Sequence, residues 1–359
     1  VKKIIVVVVT ILLTGALVPQ WNSHAQDALA MPPQFECEYD LTGETITIYH
    51  FGDISAVYTF ITAPLVQGFE DAVTYFNEQG GICGAEIVSV NRDTGASQEA
   101  AQAIWDDFSE RDDAYVMLLY MTEDAELLRQ QAEEKQIPLL VSTASVLGVY
   151  GEDGNTPGWV FGITPLYQDQ LGAFCDYISE NWEQFGIDAD PVIGHVSWLG
   201  AFGQSTDTDA TRAYCESKGI GYAGAEYYFP IVPDITTQIQ NVVAEGANIL
   251  YTTSVADGPS RLATTAAAME LPIGEEMILA GPNWVLDNTL IRLAGESGVD
   301  FIGQLPYVWW DEVDHPGIQV VQQYWLDNYA TQNPETVLLN CAVFHICCHG
   351  RRWMRIVTQ

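Results

Sequence analysis

YVMLLYMTEDAELLRQQAEEKQIPLLVSTAS, residues 115–145, decides the fold. Two apolar runs, Tyr115–Tyr120 and Pro138–Ser142, flank Asp124–Lys135, which reads as a helix. Neither run alternates between apolar and polar residues. A strand needs such continuity only when helices cover both faces of its sheet. The connection is long enough for a helical crossover, which joins parallel neighbours. One strand–helix–strand unit therefore predicts an α/β fold with a parallel sheet.

The same rhythm extends in both directions. Upstream, Thr45–Phe51 and Glu86–Asn91 read as strands and Ser97–Ser109 as a helix. Between the strands, Leu65, Phe69, Val73 and Phe76 recur at helical spacing from Pro64 to Asn77, and Gly80-Gly81 ends that helix. Downstream, the polar loop Gly148–Gly158 and an extended Trp159–Ile163 precede a restart. Strands are expected at Pro191–Ser197, Gly221–Tyr228, Asn248–Thr253, Met277–Ala280 and Phe301–Leu305. Helices are expected between them, with Leu166–Trp182 leading. The prediction is two α/β domains of similar plan.

The chain has 359 residues and is 48% hydrophobic, enough for a sizeable core. Against 48 Asp and Glu stand 13 Lys and Arg, a net charge of −35. Nucleic acid needs clustered cations on its partner, and so does an anionic membrane surface. Neither is an expected partner. Lys2-Lys3, the apolar Ile4–Val18 and the small-x-small Ser23-His24-Ala25 read as a secretory signal over residues 1–25, with an uncleaved anchor as the alternative. Export to the periplasm or the cell exterior permits disulfides. Of the seven Cys, Cys37, Cys83, Cys175 and Cys215 are well separated. Four Cys allow three pairings; Cys37 with Cys83 and Cys175 with Cys215 are expected, although sequence alone does not choose.

Open parallel sheets bind ligands at the carboxyl ends of their strands. The loops there carry Thr122 and Glu123, Thr143 and Ser145, Trp198 and Phe202, Asp257, and Asn283 with Trp284. Hydroxyls and helix N-termini suit a carboxylate, aromatics an apolar group or a cation, and Glu123 or Asp257 an ammonium. Ser, Thr and Asp before helices also serve as N-caps. Catalytic motifs are scarce. Asp93-Thr94-Gly95 matches one half of an aspartic protease dyad, but no second tripeptide exists to share its proton. There is no G-x-S-x-G elbow, Walker A loop, H-E-x-x-H or G-x-G-x-x-G. His50 and His195 lie in expected strands and read as core or rim residues. No enzyme, cofactor or metal is indicated.

With those motifs in order, the chain resembles the type I periplasmic solute-binding proteins, and within them the branched-chain amino acid binding proteins of ABC importers. The resemblance rests on PLVQGFEDAVTYFNEQGGICG (64–84), Asn91-Arg92-Asp93-Thr94 with Gln98–Ala103, IPLLVSTAS (137–145), Phe202-Gly203 and DITTQIQNV (234–242). It spans about residues 43–340. It implies two Rossmann-like lobes joined by a multi-crossing hinge. Lobe 1 would be 34–160 plus 303–359, and lobe 2 161–302. The implied partners are a small ligand and an ABC permease, with the chain acting as a monomer. Ser142, Thr143, Ala144 and Ser145 would meet a ligand's carboxylate and ammonium, with Thr122 and Glu123 beside them. Phe202 stands where the family has Tyr, and Asn283 where branched-chain binders have an ammonium-binding Glu. That second departure leaves two readings open: Asp257 or Glu123 replaces the Glu, or the ligand is not an α-amino acid. Trp198, Phe202 and Trp284 favour a larger or flatter ligand. Capture of an amino acid, amide or related small carboxylate for import is the expected function; a sensor of the same fold, feeding a regulator or kinase, is the alternative.

The tail, residues 341–359, holds Cys341, Cys347, Cys348, three of the 13 basic residues and no acid. His345, Cys347, Cys348 and His349 are zinc-ligand types, but adjacent Cys-Cys-His lacks a spacer that wraps an ion. A frame change or truncation near Asn340 is the expected reading.

Overall fold

The computed structural model describes residues 37–255 and 257–329 and the strand Arg355–Thr358. The expected signal peptide and the rest of the tail lie outside the described residues. The chain before Asn181 alternates β1 (Thr45–Gly52), α1 (Thr59–Glu78), β2 (Glu86–Asp93), α2 (Gln98–Phe108), β3 (Met117–Leu119), α3 (Thr122–Lys135), β4 (Leu139–Val141), α4 (Val146–Tyr150), β5 (Val160–Gly162) and α5 (Tyr167–Asn181). The second half runs β6 (Val192–Trp198), α6 (Ala201–Gln204), α7 (Asp209–Ser217), β7 (Gly221–Tyr228), α8 (Thr236–Ala244), β8 (Ile249–Tyr251), α9 (Asp257–Ala268), β9 (Ile278–Gly281), α10 (Asn288–Ala294), β10 (Phe301–Leu305), α11 (Pro316–Tyr329) and β11 (Arg355–Thr358).

These strands form two sheets of one topology. The first is ordered β2-β1-β3-β4-β5, all parallel. The second is ordered β7-β6-β8-β9-β10, again parallel, with β11 antiparallel on the outer edge of β10. In each sheet the first strand lies inside, and the chain winds outward to either side of it. Met117, Leu119, Leu139 and Val141 are fully buried, which explains the unbroken apolar runs that announced the sheet. After β10 the chain returns to the first sheet's side. There Val320 and Val321 of α11 pack against Ala72 of α1, and the Tyr329 hydroxyl donates to Asp71 at 2.6 Å.

Some boundaries differ from the sequence reading. Helix α1 begins at Thr59, five residues before Pro64, so Pro64 lies inside it. Two contacts hold this early start: the Tyr58 amide donates to Asp53 Oδ2 at 2.7 Å, and the Thr59 hydroxyl donates to the Ile54 carbonyl at 2.7 Å. They offset the backbone hydrogen bond that proline cannot make. The expected loop at 148–158 opens with the short α4, capped by Ser145, whose hydroxyl accepts from the Gly148 amide at 3.0 Å. Strand β10 lies wholly in the second sheet and so spans residue 303, where the return to lobe 1 was expected to begin.

Both expected disulfides form. Cys37–Cys83 ties the segment before β1 to the turn before β2, and Cys175–Cys215 joins α5 to α7. The second bond is buried and closes a separation of 40 residues. Loop-closure entropy of that size gives about 2–4 kcal/mol. The Cys175→Ala/Cys215→Ala double variant is expected to lose about that much unfolding free energy in urea titration. Gly203 is equally constrained: a Cβ there would lie 1.9 Å from the Trp198 carbonyl oxygen. Gly203→Ala is expected to displace α6 and cost about 2 kcal/mol or more in the same titration, with a cost under about 0.5 kcal/mol counting against it.

Candidate functional site

In a sheet wound outward from an inner strand, the loops after that strand and its later neighbour leave in opposite directions and open a crevice. Here the first sheet's crevice lies after β1 and β3, and the second sheet's after β6 and β8. The two crevices face each other across one small cavity. From the first sheet it is lined by Tyr58, Thr62, Tyr120, Thr122 and Glu123, with Ile61 and Met121. Tyr167, Phe202, Val255 and Trp284 line the opposite side.

Each lining group is held by its own element. Asp53, buried just past β1, accepts from the amides of Ala56 and Tyr58, both at 2.7 Å, and of Ser55 at 3.2 Å. This carboxylate turns the chain into α1 and aims Tyr58 at the cavity. Tyr120 is oriented by buried His50, whose Nδ1 lies 3.0 Å from the tyrosine hydroxyl. Glu123 sits in the first turn of α3, where the helix dipole favours an acid. Across the cavity, Gly200 at φ +129° and the side-chain-free Gly203 let the backbone double back after Trp198. Phe202 is thereby presented to Glu123.

The two sides meet through specific contacts. Glu123 Oε1 accepts from the Phe202 amide at 3.2 Å and, more loosely, from the Tyr58 hydroxyl at 3.5 Å. The rings of Tyr58 and Trp198 stand 5.8 Å apart edge to face across the cavity, and on its far side those of Tyr167 and Phe202 lie 5.1 Å apart. Trp284 Nε1 donates to the Tyr167 hydroxyl at 2.9 Å, which Thr122 and Thr143 also hydrogen-bond. The cavity volume is about 30 Å³, room for little more than ordered water. The two crevices are therefore packed against each other. A larger cavity of about 830 Å³ lies between the turn 151–154 and helices α5 and α7. It is an open groove away from both crevices, so the smaller cavity is the better candidate.

Burial dominates the electrostatics. It pushes the Glu123 carboxyl up, against the hydrogen bonds from Phe202 and Tyr58 that favour its charged form. Asp124 is pushed up to about 7, by burial first and then by the negative charges of Glu123 and Asp53. The Tyr58 and Tyr167 hydroxyls are likewise raised by burial.

The expected site residues divide into three groups. Thr122, Glu123, Phe202 and Trp284 line the cavity, and Trp198 backs it through the rings of Tyr58 and Phe202. Ser142, Thr143, Ala144 and Ser145 are buried beside it, engaged with the protein itself. Thr143 pairs with Thr164 at 2.5 Å, the Ser142 carbonyl accepts from Thr164, the Ala144 carbonyl accepts from the Tyr167 amide, and Ser145 donates to Glu126. Asp257 and Asn283 do not line the cavity. Asp257 is half exposed and paired with Arg261 in α9. The backbone amide of Asn283 donates to Gln170 and its carbonyl accepts from Tyr307, while its buried side-chain amide has no protein partner. Tyr58, Tyr120 and Tyr167 went unrecognised in the sequence. The rule that strand ends carry the site, applied to β1 and β5 as well, would have found Tyr58 and Tyr167.

A family described as periplasmic binding protein matches residues 45–342. No curated protein sequence matches the chain. Among solved structures, a branched-chain amino acid ABC transporter protein from Thermus thermophilus with bound valine is similar over 86% of this chain and 77% of its own, at TM-score 0.73 and 18% identity. A fatty acid ABC transporter substrate-binding protein from Thermomonospora curvata matches at TM-score 0.69 and 16% identity, over 85% of this chain and 75% of its own. A solute-binding protein from R. palustris in complex with 4-hydroxybenzoate matches at TM-score 0.69 and 14% identity, over 85% and 78%. These are substrate-binding proteins rather than enzymes. The match over most of its length and the shared two-sheet architecture make this chain a member of the type I periplasmic binding protein family.

Proposed function

We propose that the chain is an extracytoplasmic solute-binding protein that closes two lobes over a small organic solute and delivers it to an ABC permease. One observation carries this reading: the crevices of two sheets share a single cavity, bridged from lobe to lobe by the Glu123–Phe202 hydrogen bond. Lobe 1 comprises residues up to about 160 together with the segment returning after β10, and lobe 2 the chain between. The hinge is the set of crossings at β5–α5 and after β10. No helix among the described residues is long and apolar enough to cross a membrane. The acidic exterior suits a monomer that diffuses freely and docks on its transporter. Neighbours of this fold bind solutes as different as valine and 4-hydroxybenzoate, so the fold sets capture and the cavity sets choice.

Ligand carried through purification, identified by mass spectrometry and titrated back by calorimetry, is expected to bind at micromolar or tighter affinity. Small-angle scattering is expected to show the opened protein contract on binding. A purified, folded protein that binds no amino acid, amide, amine or small carboxylate would sink the reading.

The buried carboxylates give a second expectation. Asp124 titrates near 3.8 when unfolded and at about 7 when folded. Asp287 moves in the same direction, to about 6. The folded state thus holds protons that the unfolded state releases. Their contribution is fully present below the unfolded pKa and is lost as pH rises through the folded one. Thermal unfolding is expected to shift upward as pH falls from about 8 to about 5, and Asp124→Asn to stabilise the protein at about pH 8 but much less at about pH 5. An unchanged melting temperature across that range would contradict the assignment.

A further inference from the structure

The cavity has an uneven chemical inventory. Its lining holds five aromatic rings, one ionisable carboxylate and no Lys, Arg or His. Directly behind Glu123 lie two further buried acids, Asp53 and Asp124, and then Glu126. The hydroxyls after β4 are engaged inside the protein, Thr143 with Thr164 and Ser145 with Glu126 and the cap of α4, and the lining hydroxyls of Thr62 and Thr122 are neutral and supply no counter-charge. Arg261 is tied to Asp257 and the Pro230 carbonyl, and Arg129 to the Thr156 carbonyl. A ligand with a negative group would enter a negative, poorly screened space with no counter-charge among the lining residues. A cation meets the opposite conditions. A carboxylate and several ring faces attract it together, and desolvation strengthens both attractions.

Resting on the solute-binding reading above, we propose that this cleft selects a small organic cation, a substituted ammonium. Glu123 is its counter-ion, and Tyr58, Tyr167, Phe202 and Trp284 are the rings that enclose it. As the lobes part, Glu123 exchanges the Phe202 amide for the incoming ammonium, and the rings of both lobes then close on its alkyl or aryl substituents. A proton competes with the ligand for the same carboxylate. The groups facing Glu123 are Tyr58 just before α1, Asp53 just past β1, Asp124 and Glu126 of α3, Tyr167 of α5 and, from lobe 2, the Phe202 amide. All the charged ones are acids, so acidification weakens cation binding.

The test is calorimetry on the full secreted chain with five probes: choline, phenethylamine, L-leucine, acetamide and benzoate. Choline or phenethylamine is expected to bind at micromolar affinity, weakening steadily as pH falls from about 7.5 to about 5. Glu123→Gln keeps a hydrogen-bond acceptor for the Phe202 amide and is expected to lose about 30-fold or more in amine affinity with the melting temperature held. If that variant does not fold, Glu123→Ala at equal amine affinity would overturn the proposal, and so would amine binding by Glu123→Gln as tight as the parent's. Binding of leucine, acetamide or benzoate without either amine overturns the cation but leaves solute capture standing. Binding of no probe, with no ligand carried through purification, overturns both.

Discussion

Parallel strands cannot be joined by a tight turn. The chain must leave one strand at its carboxyl end, cross over a face of the sheet and re-enter at the amino end of the next. A sheet covered on both faces is then wound outward from an inner strand in two directions. The crossovers diverge at the one place where the direction reverses. Everything functional in this protein follows from meeting that constraint twice. The orders β2-β1-β3-β4-β5 and β7-β6-β8-β9-β10 are the same solution, and each leaves one gap between diverging loops. The gaps are free of backbone hydrogen-bonding partners by construction, so side chains fill them. Tyr58 and Glu123 fill one, Phe202 and Val255 the other.

The site groups are rigid because something else fixes each of them. Asp53 fixes the entry to α1 and hence Tyr58, the first turn of α3 fixes Glu123, and two glycines fix the loop that carries Phe202. The proposed closure would then need no refolding of loops, only rotation of two packed bodies about the connections that cross between the sheets, a hinge motion. The hydrophobic cluster that joins Leu65, Phe69 and Tyr120 of lobe 1 to Trp198, Phe202 and Trp284 of lobe 2 is the surface such a rotation would open.

How much of this was legible in the sequence depended on how local the signal was. The central strands were plain, because burial on both faces removes polar residues from Met117–Leu119 and Leu139–Val141. Helix spans came within a turn or so at most ends, with α1 displaced because contacts from Asp53 and Ile54 outweigh a proline. The four-residue α6 carries no periodicity to read, and α11 depends on its packing against α1. Site residues were harder. Whether Thr143 or Ser145 meets a ligand depends on the partners each finds across the fold, Thr164 and Glu126, which no local pattern announces. Asp257 looked like a cleft acid until its helix placed Arg261 one turn away. Tyr58 and Tyr167 were missed because their prominence depends on strand order, a property of the sheet and not of any segment.

Buried acids ordinarily cost stability, and here the cost is placed where it has a use. Glu123 and Asp124 sit on one helix turn beside the aromatic rings, where burial disfavours the ionisation of both and the Glu123 charge further disfavours that of Asp124. A protein selected only for stability would place apolar groups there. Keeping the carboxyls makes the closed cleft a poor environment for its own charge, and so a good one for whatever neutralises that charge. In the closed form burial disfavours the Glu123 charge, and one backbone amide partly offsets that. A ligand that supplies positive charge relieves the penalty, and a ligand that supplies negative charge adds to it. Neighbouring carboxyls on one turn of α3 thus bear on both properties, Asp124 on stability against pH and Glu123 on the sign of the solute proposed for the cleft.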